Sequence, residues 1–137
     1  NAAGQVAGER ALPAGKRNGV VWDSDGIKEL STPGGEYNHV KALNAAGVVV
    51  GYSMNEDGIH AFRWQNGVMM GLDITNSSHS GAMAVNDAGQ VVGAVALPWN
   101  VYGVPLNRAI LWEPPGRGQW IFLPHLARSP FPGRQDR

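Results

Sequence analysis

Short apolar runs separated by Asn- and Gly-containing turns make up most of the chain, and no helical 3.6-residue period competes with them over a comparable length. The pattern is clearest between residues 40 and 72. Val40-Lys41-Ala42-Leu43 alternates and stops at Asn44, and Asn44-Ala45-Ala46-Gly47 suits a type I turn closed by a left-handed glycine. Val48-Val49-Val50-Gly51-Tyr52-Ser53 follows, β-branched, too short for a helix and apolar on both faces, which predicts a strand covered on both sides. Asn55-Glu56-Asp57-Gly58 repeats the N-x-x-G turn before a strand over Ile59–Trp64. Asn66-Gly67 then supplies the strongest two-residue hairpin signal and leads into Val68–Leu72. This stretch therefore predicts four strands joined by three tight turns.

The same grammar is written three times. Asn1-Ala2-Ala3-Gly4-Gln5-Val6-Ala7-Gly8, Asn44 to Gly51, and Asn86-Asp87-Ala88-Gly89-Gln90-Val91-Val92-Gly93 share Asn, Gly and Gly at one spacing, and their starts lie 43 and 42 residues apart. Trp22, Trp64 and Trp112 follow in step, as do Leu30, Leu72 and Leu123. The chain divides on this reading into an incomplete first repeat (1–40), a second (41–81), a third (82–123) and a poorly ordered tail (124–137). The first copy lacks its first strand. The third carries an insertion of about six residues between Gly93 and Trp112, and insertions in repeats map to loops at one end of the stack.

A period near 42 with four strands per unit predicts an all-β architecture of antiparallel units packed face to face as β-propeller-like blades. Three units fall short of the roughly four to eight that close a propeller, so a partial propeller is expected. The start inside a repeat is what a segment of a longer chain would show, and a segment standing alone would self-associate through its end units. The rival is a β-trefoil, in which three copies close into one barrel.

Composition narrows the partners. Eleven Lys+Arg balance eleven Asp+Glu over 137 residues, and the basic residues are scattered except for Arg128, Arg134 and Arg137. A nucleic-acid surface is not expected. No apolar run approaches the roughly 20 residues of a membrane helix, so no membrane insertion is expected. Cysteine is absent, which excludes disulfides and thiolate metal sites.

The unit A-[LV]-N-x-x-G-x-V-x-G followed by H-A-F-x-W-x-x-G-x-M resembles the bacterial extracellular repeats named for their His-Ala-Phe (HAF) triplet, here His60-Ala61-Phe62. Thr32-Pro33-Gly34-Gly35 ahead of Ala42-Leu43-Asn44 is similar to the Gly-Gly lead-in of that family. The triplet stands only in the middle copy; the others read Asn18-Gly19-Val20 and Arg108-Ala109-Ile110. The resemblance implies export or surface display and a propeller-like array, and it implies no catalytic residues.

Candidate chemistry is sparse. The three framework tryptophans read as packing anchors between repeats. His60 has no partner at ligand spacing and its counterparts are Asn18 and Arg108, so it reads as structural. Asp23-Ser24-Asp25-Gly26, with Glu29 downstream, and Asn55-Glu56-Asp57-Gly58 could attract calcium, but turn chemistry accounts for both. Ser77, Ser78, His79 and Ser80 cluster without forming a triad, and no G-x-S-x-G elbow or phosphate-binding loop occurs. No cofactor, metal site or intrinsic catalysis is expected.

The ligand-binding candidates are Trp99 and Tyr102, two aromatics among prolines in the inserted loop, where stiffness lowers the ordering cost of binding. The function expected is a secreted or surface-displayed scaffold that binds a glycan or another protein through its loops. The alternative is part of a propeller-containing hydrolase or lyase whose catalytic groups lie outside this segment.

Overall fold

The computed structural model describes residues 1–30, 37–72, 79–97, 106–115 and 120–122. They form eleven strands: β1 (Val6–Ala11), β2 (Arg17–Asp23), β3 (Gly26–Glu29), β4 (Tyr37–Leu43), β5 (Val49–Asn55), β6 (Gly58–Gln65), β7 (Val68–Gly71), β8 (His79–Val85), β9 (Val91–Leu97), β10 (Leu106–Trp112) and β11 (Trp120–Phe122). The all-β expectation holds. The predicted hairpins occur where turn chemistry placed them: Asn66 and Gly67 take φ of 49° and 84° between the paired residues Gln65 and Val68, as a two-residue primed turn requires.

All eleven strands join one mixed sheet in the order β1-β2-β4-β5-β6-β8-β9-β10-β11, with β3 on β2 and β7 on β6. Consecutive strand groups (β1–β3, β4–β7, β8–β11) are not merely stacked face to face, as the sequence suggests. They are also joined edge to edge by parallel bridges, Arg17 to Tyr37 and Ile59 to His79. The reason is strand length. β6 has eight residues and β7 covers only Phe62–Gln65, so the first half of β6 keeps an edge that β8 can take. Face-to-face contact is present as well: β1 lies against β4, and both β4 and β5 lie against β8. Among the described residues no pairing joins β11 back to β1, so these strands close neither a propeller nor a trefoil barrel.

The core lies between the groups. Val21 and Leu30 from the first group pack with Val49, Phe62 and Trp64 from the second. Val48, Val50 and Ala61 of the second pack with Ala82, Val91, Val95, Ile110 and Trp112 of the third. Val49 and Val50 thus enter different clusters, the two-sided coverage that their sequence predicts. Trp64 and Trp112 are buried, each against the group that precedes it, whereas Trp22 is only half-buried.

The three N-x-x-G turns have one geometry and stack on one another. The Oδ1 of Asn1, Asn44 and Asn86 accepts from the backbone N–H of Gln5, Val48 and Gln90 at 3.0, 2.8 and 2.9 Å. Gly4, Gly47 and Gly89 sit at φ of 81°, 81° and 84°, the left-handed region that favours glycine. The Asn side chains also reach across: Asn1 Nδ2 donates to the carbonyl of Asn44 at 3.0 Å, and Asn44 Nδ2 to that of Asn86 at 2.9 Å.

The acidic turns follow turn chemistry. Asp25 N–H donates to Asp23 Oδ1 at 2.8 Å and Asp57 N–H to Asn55 Oδ1 at 2.9 Å. Glu29 is engaged by Arg10 and Asn18. Lys28 Nζ donates to Asp23 Oδ2 at 2.7 Å; that bond, then the Asp25 amide, holds the Asp23 carboxyl below its ordinary value. A depressed folded-state value means that the stabilisation is present above the unfolded carboxylate pKa and is lost as pH falls through the folded one. Lys28→Ala is expected to move the Asp23 midpoint upward in a carboxyl-detected NMR titration.

Candidate functional site

β5 and β8 face each other across the second and third strand groups, and the residues they bring together decide what this junction can hold. Ser80 and His79 at the start of β8 turn to the backbone of β6: Ala61 N–H donates to Ser80 Oγ at 2.9 Å and Ile59 N–H to His79 Nδ1 at 3.2 Å. The pair that the sequence places in a Ser/His cluster thus completes backbone hydrogen bonds where β8 leaves the ladder after one bridge. Ser77 and Ser78 lie outside the described residues.

Gly81 is next, and the missing side chain leaves space. The result is an open groove of about 440 Å³. Its lining includes Tyr52 and Met54 of β5, Met83 of β8, Ala94–Ala96 of β9 and Asn107 of β10. The lining is mainly apolar, and Met54 and Met83 are 37% and 48% exposed. Thioether side chains of this kind repack easily around an apolar guest.

At the corresponding place between the first and second groups, charged side chains meet instead. Residues 42 or 43 positions earlier are Glu9 for Tyr52, Arg17 for Ile59, His39 for Gly81 and Lys41 for Met83. Glu9 lies 3.5 Å from Arg17 and 3.4 Å from His39 and accepts from Val40 N–H at 2.9 Å. The His39 ring contacts Tyr52 with centroids 4.9 Å apart, and Lys41 lies over the same ring at 5.6 Å. One backbone arrangement therefore makes a charged cluster in one place and an apolar groove in the next. These four exchanges remove the charged groups from the groove.

Trp99 and Tyr102 lie outside the described residues. Sequence reasoning missed Tyr52, Met54 and Met83. The readable signal was the exchange of charged residues for apolar ones between aligned copies. Among the described residues no group of three or more His, Asp or Glu could hold a metal ion, and no helix is long and apolar enough to cross a membrane. Neither family models, nor curated proteins, nor solved structures give a match to this chain.

Proposed function

We propose that the chain is a secreted or surface-displayed β-repeat scaffold, propeller-like in its units, that binds a partner protein at the groove between its second and third strand groups. The repeat reading is supported by pairings that recur at a shift of 42: the parallel bridges from Arg17 and Ile59, and the bulges at Val40/Ala42 and Ala82/Ala84. Surface display rests on the resemblance to the His-Ala-Phe repeats. The observation that carries the binding reading is the contrast between the two junctions, since a scaffold that only needed to pack would have no use for an open groove beside a junction of paired charges.

The groove's chemistry favours an apolar protein side chain over a glycan. Sugar hydroxyls entering a mainly apolar groove would find few partners and lose their hydration, whereas Tyr52 and two methionines suit an aliphatic or aromatic side chain. Trp99 and Tyr102 of the inserted segment are kept as binding candidates on their residue types alone.

Gly81→His with Met83→Lys converts the groove to the chemistry of the charged junction, and a Cβ at Gly81 meets only the flexible end of Met83 and the Tyr52 ring, at 3.2 and 3.5 Å. In pull-down followed by titration with the captured protein, this double variant is expected to bind at least about tenfold more weakly, the equivalent of about 1.4 kcal/mol, with Trp99→Ala and Tyr102→Ala weakened as well. Binding equal to the parent would sink the groove assignment. Capture on a glycan array that the same variants abolish would replace the protein partner by a sugar.

A further inference from the structure

Two of the chain's four methionines, Met54 and Met83, line one groove, and the chain has no cysteine. Both are exposed there. Neither is shared with the other copies: Ala11 and Ala96 stand where Met54 does, and Lys41 stands where Met83 does. The strand register agrees, since Met54 pairs with Tyr37 at the start of β4 as Ala96 pairs with His79 at the start of β8. The two thioethers therefore belong to the groove and not to the repeat.

Their surroundings differ from those of the other two methionines. Met69 packs against the core formed by Val21, Leu30, Val49, Phe62 and Trp64. Met70 is as exposed as the groove pair but lies on β7, apart from the groove lining. Met54 and Met83 belong to neither core cluster. The Met83 methyl lies 3.2 Å from the position that a Cβ on Gly81 would take, and Cδ1 of the Tyr52 ring lies 3.5 Å from the same point. The bare backbone of Gly81 thus leaves room around the end of Met83. An oxygen added to that sulfur changes the surface of the groove without pushing into the core.

In a chain without thiols, exposed thioethers are the sulfur that a hydroperoxide meets. The sulfur lone pair attacks a peroxide oxygen, so that the O–O bond breaks and an S–O bond forms. The hydroxide that leaves takes up a proton; sulfur is oxidised and the peroxide is reduced to water. The product is polar and chiral where the thioether was apolar and adaptable. Its oxygen is a strong acceptor that holds water, and an apolar guest would strip that water without supplying a donor.

We propose that Met54 and Met83 form a reversible oxidation site, through which a hydroperoxide turns off binding at the groove. The inference rests on the reading of that groove as a binding site and adds what regulates it. In the thioether state the groove accepts an apolar side chain. In the sulfoxide state it is closed to one, and reductases for the two sulfoxide epimers reopen it. Met70 is oxidised without consequence for binding, because it lies outside the groove lining.

The test uses the full chain carrying Met69→Leu and Met70→Leu, volume-conserving exchanges outside the groove, so that Met54 and Met83 hold the only sulfur left. The probe is an anilinonaphthalene sulfonate dye, followed by its fluorescence and by the methyl signals of isotope-labelled methionine. In untreated protein the dye is expected to shift the Met54 and Met83 signals. Hydrogen peroxide is expected to convert both residues to sulfoxide, read by peptide mass mapping, and to weaken the dye at least about tenfold while the amide spectrum of the core residues is preserved. Methionine sulfoxide reductases for both epimers are expected to restore the affinity. The parent chain, treated alike, is expected to respond as the double variant does. Dye that shifts neither methyl signal in untreated protein removes the groove reading, and this inference with it. Dye that shifts both, yet binds the doubly oxidised protein as tightly as before, overturns the oxidation site alone. So does a loss that the reductases fail to reverse, or a loss seen only in the parent chain, which would place the cause at Met69 or Met70.

Discussion

Gly51→Ala is expected to lower folding stability by about 3–5 kcal/mol, near the upper limit for a single methyl group, measured by equilibrium urea unfolding. Gly51 sits in β5 opposite Val40, where β4 bulges, and a Cβ would stand 1.8 Å from the His39 carbonyl oxygen and 3.2 Å from the Phe62 ring. Neither obstacle can swing away. The oxygen belongs to the backbone, and Phe62 is buried among Val21, Leu30, Val49 and Trp64. β4 must therefore shift or separate, taking bulge and core with it. Two comparisons isolate the cause. Gly93→Ala, with the Gly81 oxygen 2.0 Å away, is expected to cost a similar amount. Gly81→Ala, whose nearest neighbour is the mobile end of Met83 at 3.2 Å, is expected to stay within about 1 kcal/mol. Equal effects at Gly51 and Gly81 would show that chain flexibility, not the approaching carbonyl, accounts for the glycine.

The second large effect is expected at Asn44. Asn44→Ala removes an acceptor from the buried Val48 N–H and a donor from the Asn86 carbonyl, at a residue only 4% exposed. A buried amide stripped of its partner costs about 1–3 kcal/mol beyond the bond itself, so a loss of about 2–4 kcal/mol is expected in the same unfolding experiment. Asn44→Asp separates the two roles. The carboxylate still accepts from Val48 N–H but places negative charge against the Asn86 carbonyl, and Asp87 Oδ1 already accepts from Ala45 N–H at 2.9 Å nearby. Asn44→Asp is therefore expected to be destabilised at neutral pH and to recover in part as acid protonates the new carboxyl. Asn1→Ala, at an exposed position, is expected to cost much less. A silent Asn44→Ala would mean that the turn stands without the link to its neighbour.

Much of this fold was legible in the chain. Asn66-Gly67 specified a hairpin because few other residue pairs tolerate two positive φ angles in succession. Val48-Val49-Val50 announced a strand covered on both faces, and each N-x-x-G placed a turn. The second role of Asn44 was not legible, because nothing local says that its amide meets a carbonyl 42 residues further on. Gly51 could be read as part of a recurring motif, but the reason for a glycine there is the carbonyl of a bulged neighbour. The groove was half legible. Aligning the copies shows His39 exchanged for Gly81 and Lys41 for Met83, yet the exchange gains meaning only when β8 is seen to face β5. Trp99 and Tyr102 stood out by composition alone, and they lie outside the described residues.

The sequence by itself determined which segments are strands and where they turn, because those choices depend on side-chain periodicity and on the φ angles a few residues allow. Tertiary structure decided how the strand groups meet. It set an open sheet bridged at Arg17 and Ile59, a ladder of turns through Asn1, Asn44 and Asn86, one junction where Glu9 and His39 meet, and the next left as a groove. These features join residues far apart in the chain, 20 positions for Ile59 and His79 and 43 for Asn1 and Asn44, and their meeting is governed by bulges and unequal strand lengths, neither of which has a signature within a single turn or strand.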